Sequence, residues 1–540
     1  MRNVRVLDTT LRDGGRIIGC AFPDEYIKGI VQGLTDAKVD VIEMGFLRGN
    51  TEYKGNSTMF TEVEQFKRFI PKDRQKSMYV AFGDYGKEYG MWDFSKLPEC
   101  DGTSFTGMRI GYRKKDLKEA MEICKLVKAK GYKLFIQGVE SLNYTDREML
   151  EAVEVINQVK PDCFGIVDTY GAMYKDDVLR LFNLVNNNLD ENIAIDFHSH
   201  NNLQLSFSFA QEIVEAAAGR RELVIDATLE GVGKGIGNLN TELIVDYLNR
   251  KHNYDYNIDA IFDATDEYVS WIKRDHTWAY QIPYFMAGIY SSHANNIIYL
   301  MDKHKLKTKD IKHILSMIEP EKRKRYDYND IEEKYISYFS TKVDDAEDKQ
   351  RFRDKVRGRN VLVLAPGSSI VTHKEDIESA INKKDPVVIT INFIDESRAD
   401  SYAFFGNERR YDRCCDKLEP GKTIVTSNVM SRSDSDIVIN YNDLINRGFK
   451  YFDNSAVMLL NLLKDTDCKS VMIAGFDGFD AEAAHNYYDE AYNETVSAGK
   501  HEAANEDITK LLVNYKKSLD GRFDVKFVTP SRFAYVFEKR

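Results

Sequence analysis

Proline, cysteine and tryptophan are scarce in this chain, and long apolar runs are missing. Ten prolines in 540 residues, beside 31 tyrosines, exclude a set of beads on Pro-rich linkers and point to a dense, ordered, aromatic-rich chain. Seven cysteines, an odd count with no Cys-x-x-Cys spacing, fit a reducing compartment better than a disulfide framework. No stretch of eighteen apolar residues occurs, so no transmembrane helix is expected. Met1–Asp8 runs straight toward a strand without the apolar core of a signal peptide, which gives a cytoplasmic expectation. Positive charge is not in excess either. The 75 Lys and Arg against 86 Asp and Glu leave a net charge of −11, which argues against a nucleic-acid partner.

What is present is enough apolar residue (43%) for a large core, and a length beyond one ordinary domain. Over the first 230 residues, short β-branched runs alternate with amphipathic stretches. The runs are Val4–Leu7, Val39–Met44, Met78–Ala81, Thr106–Ile110, Lys133–Gln137, Cys163–Val167, Ile193–His198 and Val224–Ala227. Strand alternating with helix predicts parallel strands, and eight units is the count of a (β/α)₈ TIM barrel. Rhythm alone leaves a doubly wound open sheet as the alternative. The expected organisation is an α/β chain with a barrel over 1–252, a helical connector over 253–356 and a Rossmann-like open sheet over 357–540. The connector's charged run Glu319–Arg325 reads as a solvated helix face.

In a parallel barrel, chemistry sits where the strands end. Those ends carry Arg12 and Asp13, Glu43, Arg109, Gln137, Asp168, and His198 with His200. Residues two apart on a strand share a face, so His198 and His200 project together. With Asp13 they make a facial set for a divalent metal, and the mixed nitrogen and oxygen donors suit Mn²⁺, Mg²⁺, Co²⁺ or Zn²⁺. Arg12, beside Asp13, can stabilise a developing enolate oxygen. The segment Gly231–Gly237 reads equally as a phosphate cradle or as a tight βα turn. Glu43, Arg109, Gln137 and Asp168 are candidates for substrate binding.

Several ordered motifs resemble those of the metal-dependent lyase and aldolase barrels. That family includes 4-hydroxy-2-oxovalerate aldolase, hydroxymethylglutaryl-CoA lyase and isopropylmalate synthase. The motifs are Asp8-Thr9-Thr10-Leu11-Arg12-Asp13-Gly14, Ala37–Glu43, Asp168-Thr169-Tyr170-Gly171-Ala172-Met173, His198-Ser199-His200-Asn201-Asn202, Gly231–Glu242 and Ala287-Gly288-Ile289-Tyr290-Ser291-Ser292. The resemblance spans about residues 1–300. It implies a divalent metal, Mn²⁺ or Mg²⁺ first, on Asp13, His198 and His200, with Asn238 at a fourth ligand position. It implies a pyruvate enolate stabilised by Arg12, and Tyr290 near the substrate hydroxyl. It also implies a homo-oligomer formed through the helical extension. The substrates would be a 2-oxo acid and an aldehyde, and the reaction a retro-aldol cleavage and its reverse. One position departs. Where the aldolases carry a histidine base, this chain has Arg16, a poor base but a good ligand for an anionic substituent.

In the C-terminal half, Val361–Leu364 runs into Ala365-Pro366-Gly367-Ser368-Ser369, a turn able to present a helix N-terminus to an anion. With Asn392 and Asp477 at other strand ends, Gly367 and Ser368 give a nucleotide or nucleotide-sugar expectation. His485 reads as a solvated histidine. The pattern faintly resembles the Rossmann-like domains of bacterial sialyltransferases and related surface-polysaccharide enzymes. The leading expectation is thus a bifunctional aldolase linked to carbohydrate metabolism. A Claisen-type acyl-CoA lyase or synthase and a non-catalytic scaffold are the alternatives.

Overall fold

A computed structural model describes residues 3–301, 306, 308–430, 432–480, 486–489 and 501–538. His485 lies outside the described residues. The chain divides into two compact units, one of residues 1–298 with 319–326, the other of 299–318 with 327–540.

The first unit is built on β1 (Val4–Asp8), β2 (Val41–Leu47), β4 (Met78–Asp84), β5 (Gly107–Tyr112), β6 (Lys133–Gly138), β7 (Cys163–Asp168), β8 (Ala194–Ser199) and β9 (Leu223–Ala227). Each pairs in parallel with the next, and β1 pairs with both β9 and β2, so the eight strands close into a barrel. A two-residue strand, β3 (Met59–Phe60), adds to the edge of β2 and carries too short a run to be read from the sequence. The covering helices show the expected periodicity. In Asp24–Asp36, the buried Ile27, Ile30, Val31 and Leu34 fall on one stripe. The helix Ile258–Tyr268 packs back on that helix so closely that a Cβ at Gly29 would lie 2.3 Å from the Tyr268 ring. Glycine there is a packing requirement.

The barrel interior is layered by the two-residue period of its strands. One layer is apolar: Leu7, Val41, Val80, Phe135, Cys163, Ala194 and Val224 form a single buried cluster. Two residues further along the same strands the layer turns ionic. Val41 gives way to Glu43, Phe135 to Gln137, Ala194 to Asp196 and Val224 to Asp226, with Arg109 among them. Arg109 is fully buried, and its guanidinium meets Asp226 at 2.6 Å, Asp196 at 2.7 Å and Glu43 at 3.1 Å. Another two residues along β8 stands His198.

The second unit is an open, all-parallel sheet of seven strands: β10 (Asn360–Leu364), β11 (Val387–Ile391), β12 (Tyr402–Phe405), β13 (Thr423–Thr426), β14 (Ile437–Ile439), β15 (Ser470–Ala474) and β16 (Asp524–Phe527). Their order is β14-β13-β12-β11-β10-β15-β16, so the winding reverses between β10 and β15. Val361 and Val363 enter one core while Leu362 and Leu364 enter another, so both faces are covered. The short β14 was not legible in the sequence. The connector region is helical as expected, with helices at Ile258–Tyr268, Ile282–Ile289, Thr308–Ser316, Tyr328–Phe339 and Ala346–Val356. No helix among the described residues is long and apolar enough to cross a membrane.

The ionic layer makes a stability prediction. Arg109→Met leaves Asp196 and Asp226 buried without their cation. Unfolding of the full chain by denaturant is expected to show a loss of about 3–5 kcal/mol in the barrel's transition. Arg109→Lys should recover only part of it, because one ammonium cannot reproduce a forked guanidinium. A melt unchanged by Arg109→Met would refute this account of the layer.

Candidate active site

The turn after β1 sets the first half of the site. The carbonyl of Thr9 accepts from the N–H groups of Arg12, Asp13 and Gly14 at 3.0, 2.8 and 3.2 Å, which curls the chain over the barrel mouth. Asp8 anchors the curl, accepting from the Thr10 N–H at 2.8 Å and the Thr241 hydroxyl at 2.6 Å. Burial pushes the Asp8 carboxyl up to about 6. A Cβ on Gly14 would lie 2.7 Å from Val232, so the curl seats directly on the loop after β9.

Asp13, His198 and His200 converge. Their ligand atoms all lie within 4.8 Å of one another. His200 Nε2 is 3.1 Å and His198 Nε2 3.8 Å from Asp13 Oδ2. The far nitrogens are engaged elsewhere: His198 Nδ1 with Asp226 at 2.9 Å, and His200 Nδ1 with the Thr169 carbonyl at 2.6 Å. Such partners orient an imidazole so that its other nitrogen faces the centre of the site. Burial lowers His198 to about 3, which keeps that ring neutral. Burial alone would raise Asp13, but Arg12, His200 and Arg16 outweigh it and hold its carboxyl well below the usual range.

Asn238 adjoins the group along the backbone. It bridges His200 through the backbone, and its Nδ2 donates to the Val232 carbonyl at 3.1 Å. Its Oδ1 is buried with no hydrogen-bond partner. Two imidazoles and a carboxylate converging this closely, with an orphaned acceptor on the residue bridged to His200, are the donor chemistry of a hard or borderline divalent cation. In and around the group, four buried carboxylates (Asp13, Glu43, Asp196, Asp226) meet the guanidiniums of Arg12, Arg109 and Arg16, and burial pushes Asp196 up to about 7.

The structure separates the other strand-end residues by depth. Arg12 is buried over the Phe82 ring at 4.5 Å. Its Nε donates to Glu43 and its Nη1 to Asp13, both at 2.6 Å. Glu43 and Arg109 lie in the ionic layer and do not line the cavity. Asp168 accepts from the N–H groups of Ala172 and Met173 at 2.9 and 3.3 Å, fixing the loop after β7 rather than facing the cavity. Gln137 does line it, and donates to Asp196 at 2.6 Å. A Cβ on Gly165 would lie 2.2 Å from its amide, so that glycine makes room for Gln137. Tyr290 follows the helix Ile282–Ile289 and sits under the Arg323 guanidinium at 5.0 Å, outside the lining.

The cavity over these groups has a volume of about 1180 Å³. Two parts of its wall escaped the sequence reading. The run expected to be a solvated face, 319–325, turns Glu321, Lys322, Lys324 and Arg325 to the cavity. His293 also lines it. Burial, Lys234, Arg16 and Arg113 push this imidazole down to about 4. In the loop after β9, a Cβ at Gly237 (φ +90°) would lie 2.1 Å from the Gly231 carbonyl. That is the geometry of a tight turn.

In the second unit, Gly367 and Asp477 do meet, across the winding reversal. The Gly367 N–H donates to the Gly475 carbonyl at 2.8 Å. Asp477 accepts from the N–H of Ser369, at the start of the short helix Ser369–Thr372, at 2.8 Å. The protein's own carboxylate therefore occupies the position where an anionic ligand would meet that helix. Asn392, just past β11, has φ +63° and a buried Oδ1 without a hydrogen-bond partner.

Comparison with known proteins places these features. Residues 108–267 match the model of the HMGL-like family. The chain is similar to the 4-hydroxy-2-oxovalerate aldolase of Geobacillus genomosp. 3, with 27% identity over 251 residues covering 46% of this chain and 71% of the aldolase. It is similar to the oxaloacetate decarboxylase of Mycobacterium tuberculosis, with 26% identity over 266 residues covering 48% of this chain and 74% of that protein. Among solved structures, HMG-CoA lyase from Brucella melitensis covers 50% of this chain over 99% of its own, at 14% identity and a TM-score of 0.41. About half of the chain lies outside each of these likenesses. The closed barrel and the family match across its later strands lead to one statement: residues 108–267 carry an HMGL-like family domain.

Proposed function

We propose that the barrel is a divalent-metal-dependent aldolase, which joins the enolate of a 2-oxo acid, pyruvate in the simplest case, to an aldehyde and cleaves the product in reverse. The observation that carries this reading is the convergence of Asp13, His198 and His200 over the buried ionic layer, with an unpartnered Oδ1 on Asn238, the residue bridged to His200. These four residues would hold the ion, with Mn²⁺ or Mg²⁺ favoured over Co²⁺ or Zn²⁺. When bound, it supplies Lewis-acid polarisation of a 2-oxo acid, which makes the adjacent C–H acidic.

The chain's own groups supply the rest. Arg12 is fixed before substrate arrives, clamped by Glu43 and Asp13, and presents a buried positive charge beside the metal ligands. A preorganised cation of this kind stabilises the oxygen on which enolate charge develops. In the synthetic direction a proton leaves the methyl carbon of pyruvate, that carbon bonds to the aldehyde carbon, and the aldehyde oxygen takes up a proton. Arg16 cannot exchange protons at neutral pH. His293, held neutral, can offer that oxygen a hydrogen bond. Its Nδ1 accepts from the Asn295 N–H at 3.1 Å, which leaves the proton of the neutral ring on Nε2.

Chelator-stripped protein is expected to take up one divalent ion per chain by calorimetry. Asp13→Asn and His200→Ala should each abolish measurable uptake. Asp226→Asn, which removes the partner of His198, should weaken it by about 10–100-fold. Uptake unaffected by Asp13→Asn would rule out this site. The chemistry has a separate readout, the exchange of pyruvate methyl protons in deuterium oxide followed by NMR. Exchange should require Mn²⁺ or Mg²⁺, vanish with EDTA, and fall by about 10²–10³-fold in Arg12→Gln. Metal-loaded protein that gives no exchange, with or without aldehyde, would sink the enolate reading. Thiol release from acetyl-CoA in its place would assign the Claisen class.

A further inference from the structure

The cavity is larger than a small acid and a small aldehyde need. Its volume of about 1180 Å³ exceeds the range of about 300–1,000 Å³ usual for sites that enclose drug-sized ligands. Its charge is also unusual for a chain of net charge −11.

The carboxylates on the cavity wall are largely spoken for. Asp84 pairs with Arg48 at 2.9 Å, Glu88 with Lys115 at 2.9 Å and Glu321 with Lys324 at 2.6 Å. Glu140 accepts from the neutral Tyr170 hydroxyl at 2.9 Å and so keeps its charge, one carboxylate against the cations that follow. Four cations on the same wall are left over. Arg16 has only the metal-ligand candidate Asp13, at 3.2 Å. Lys234 donates to the neutral amide of Asn295. Arg113 is stacked on the Tyr89 ring at 3.2 Å, and its Nη1 is buried with no hydrogen-bond partner. Arg325 has no carboxylate partner among the described residues. Three of them, Arg16, Lys234 and Arg113, lie close enough to His293 to oppose its protonation. Like charges gathered on one concave wall repel one another unless an anion enters.

We infer that the part of the substrate away from its 2-oxo acid end carries an anionic group, a phosphate or a carboxylate, held by Arg16, Arg113, Lys234 and Arg325. The inference rests on the aldolase reading for its substrate and on the cationic wall for its charge. A monoanion or dianion reaching this wall gains charge-assisted hydrogen bonds, and a guanidinium fixed by stacking loses little freedom in making them. A neutral aldehyde gains none of this.

The test is calorimetric binding to full-length, Mn²⁺-loaded protein, using glyceraldehyde 3-phosphate, succinic semialdehyde and neutral glyceraldehyde. At least one charged aldehyde should bind about ten-fold or more tighter than glyceraldehyde, with a margin that shrinks as salt rises. Whichever of the two binds tighter tells phosphate from carboxylate. Arg113→Gln, and separately the more exposed Lys234→Gln and Arg325→Gln, should each erase most of that margin. Equal binding of charged and neutral aldehydes, a margin unmoved by all three variants, or tighter binding of acetyl-CoA than of either charged aldehyde would overturn the inference. Pyruvate proton exchange, measured in parallel, separates the two readings. Exchange without charge preference removes the anionic subsite alone. Charge preference without exchange keeps the subsite and removes the enolate chemistry.

Discussion

A guanidinium with no exposure has to be matched by carboxylates, and around Arg109 these arrive from three other strands: Glu43 on β2, Asp196 on β8 and Asp226 on β9. The same carboxylates reach upward. Glu43 holds Arg12, Arg12 holds Asp13, and Asp226 holds His198. Each metal-ligand candidate except Asn238 and His200 is therefore tied, through one or two intervening charged side chains, to a single buried cation. His200 is steadied from the other side, by the Thr169 carbonyl. The site's geometry is the upper surface of the barrel's ionic interior, and the two cannot be altered separately.

Much of this fold was legible. All eight barrel strands, and the strand that opens the second sheet, lie where the alternation of β-branched runs put them. The strands β3 and β14, of two and three residues, carry too little pattern to register. The convergence of Asp13 with His198 and His200 was legible because a two-residue spacing fixes a face. Depth was not. Glu43, Arg109 and Asp168 read as cavity residues because they stand at or near strand ends, whereas each spends its charge on the protein itself. Nothing in a one-dimensional pattern says which strand-end polar group has a partner across the barrel.

The charged run 319–325 failed in the opposite sense. Its composition is that of a solvated face, and much of it is exposed, yet the face it presents is the wall of the cavity. His293 was overlooked for a related reason. A lone histidine in a helical stretch has no spacing to advertise it, and its environment is set by Arg16, Arg113 and Lys234, which lie far away in sequence. Of the two readings of the glycine-rich loop, the geometry at Gly231 and Gly237 is that of a tight turn. The turn also delivers Lys234 to the wall.

The apolar layer beneath Arg109 has a consequence of its own. Leu7, Val41, Val80, Phe135, Cys163, Ala194 and Val224 are each at most 1% exposed and touch across the barrel axis, so one end of the cylinder is stoppered with hydrocarbon. A vessel closed at the bottom has a single opening. Substrate, product and the water that competes with both must use it in turn. A ligand filling that opening would itself determine how dry the chamber becomes.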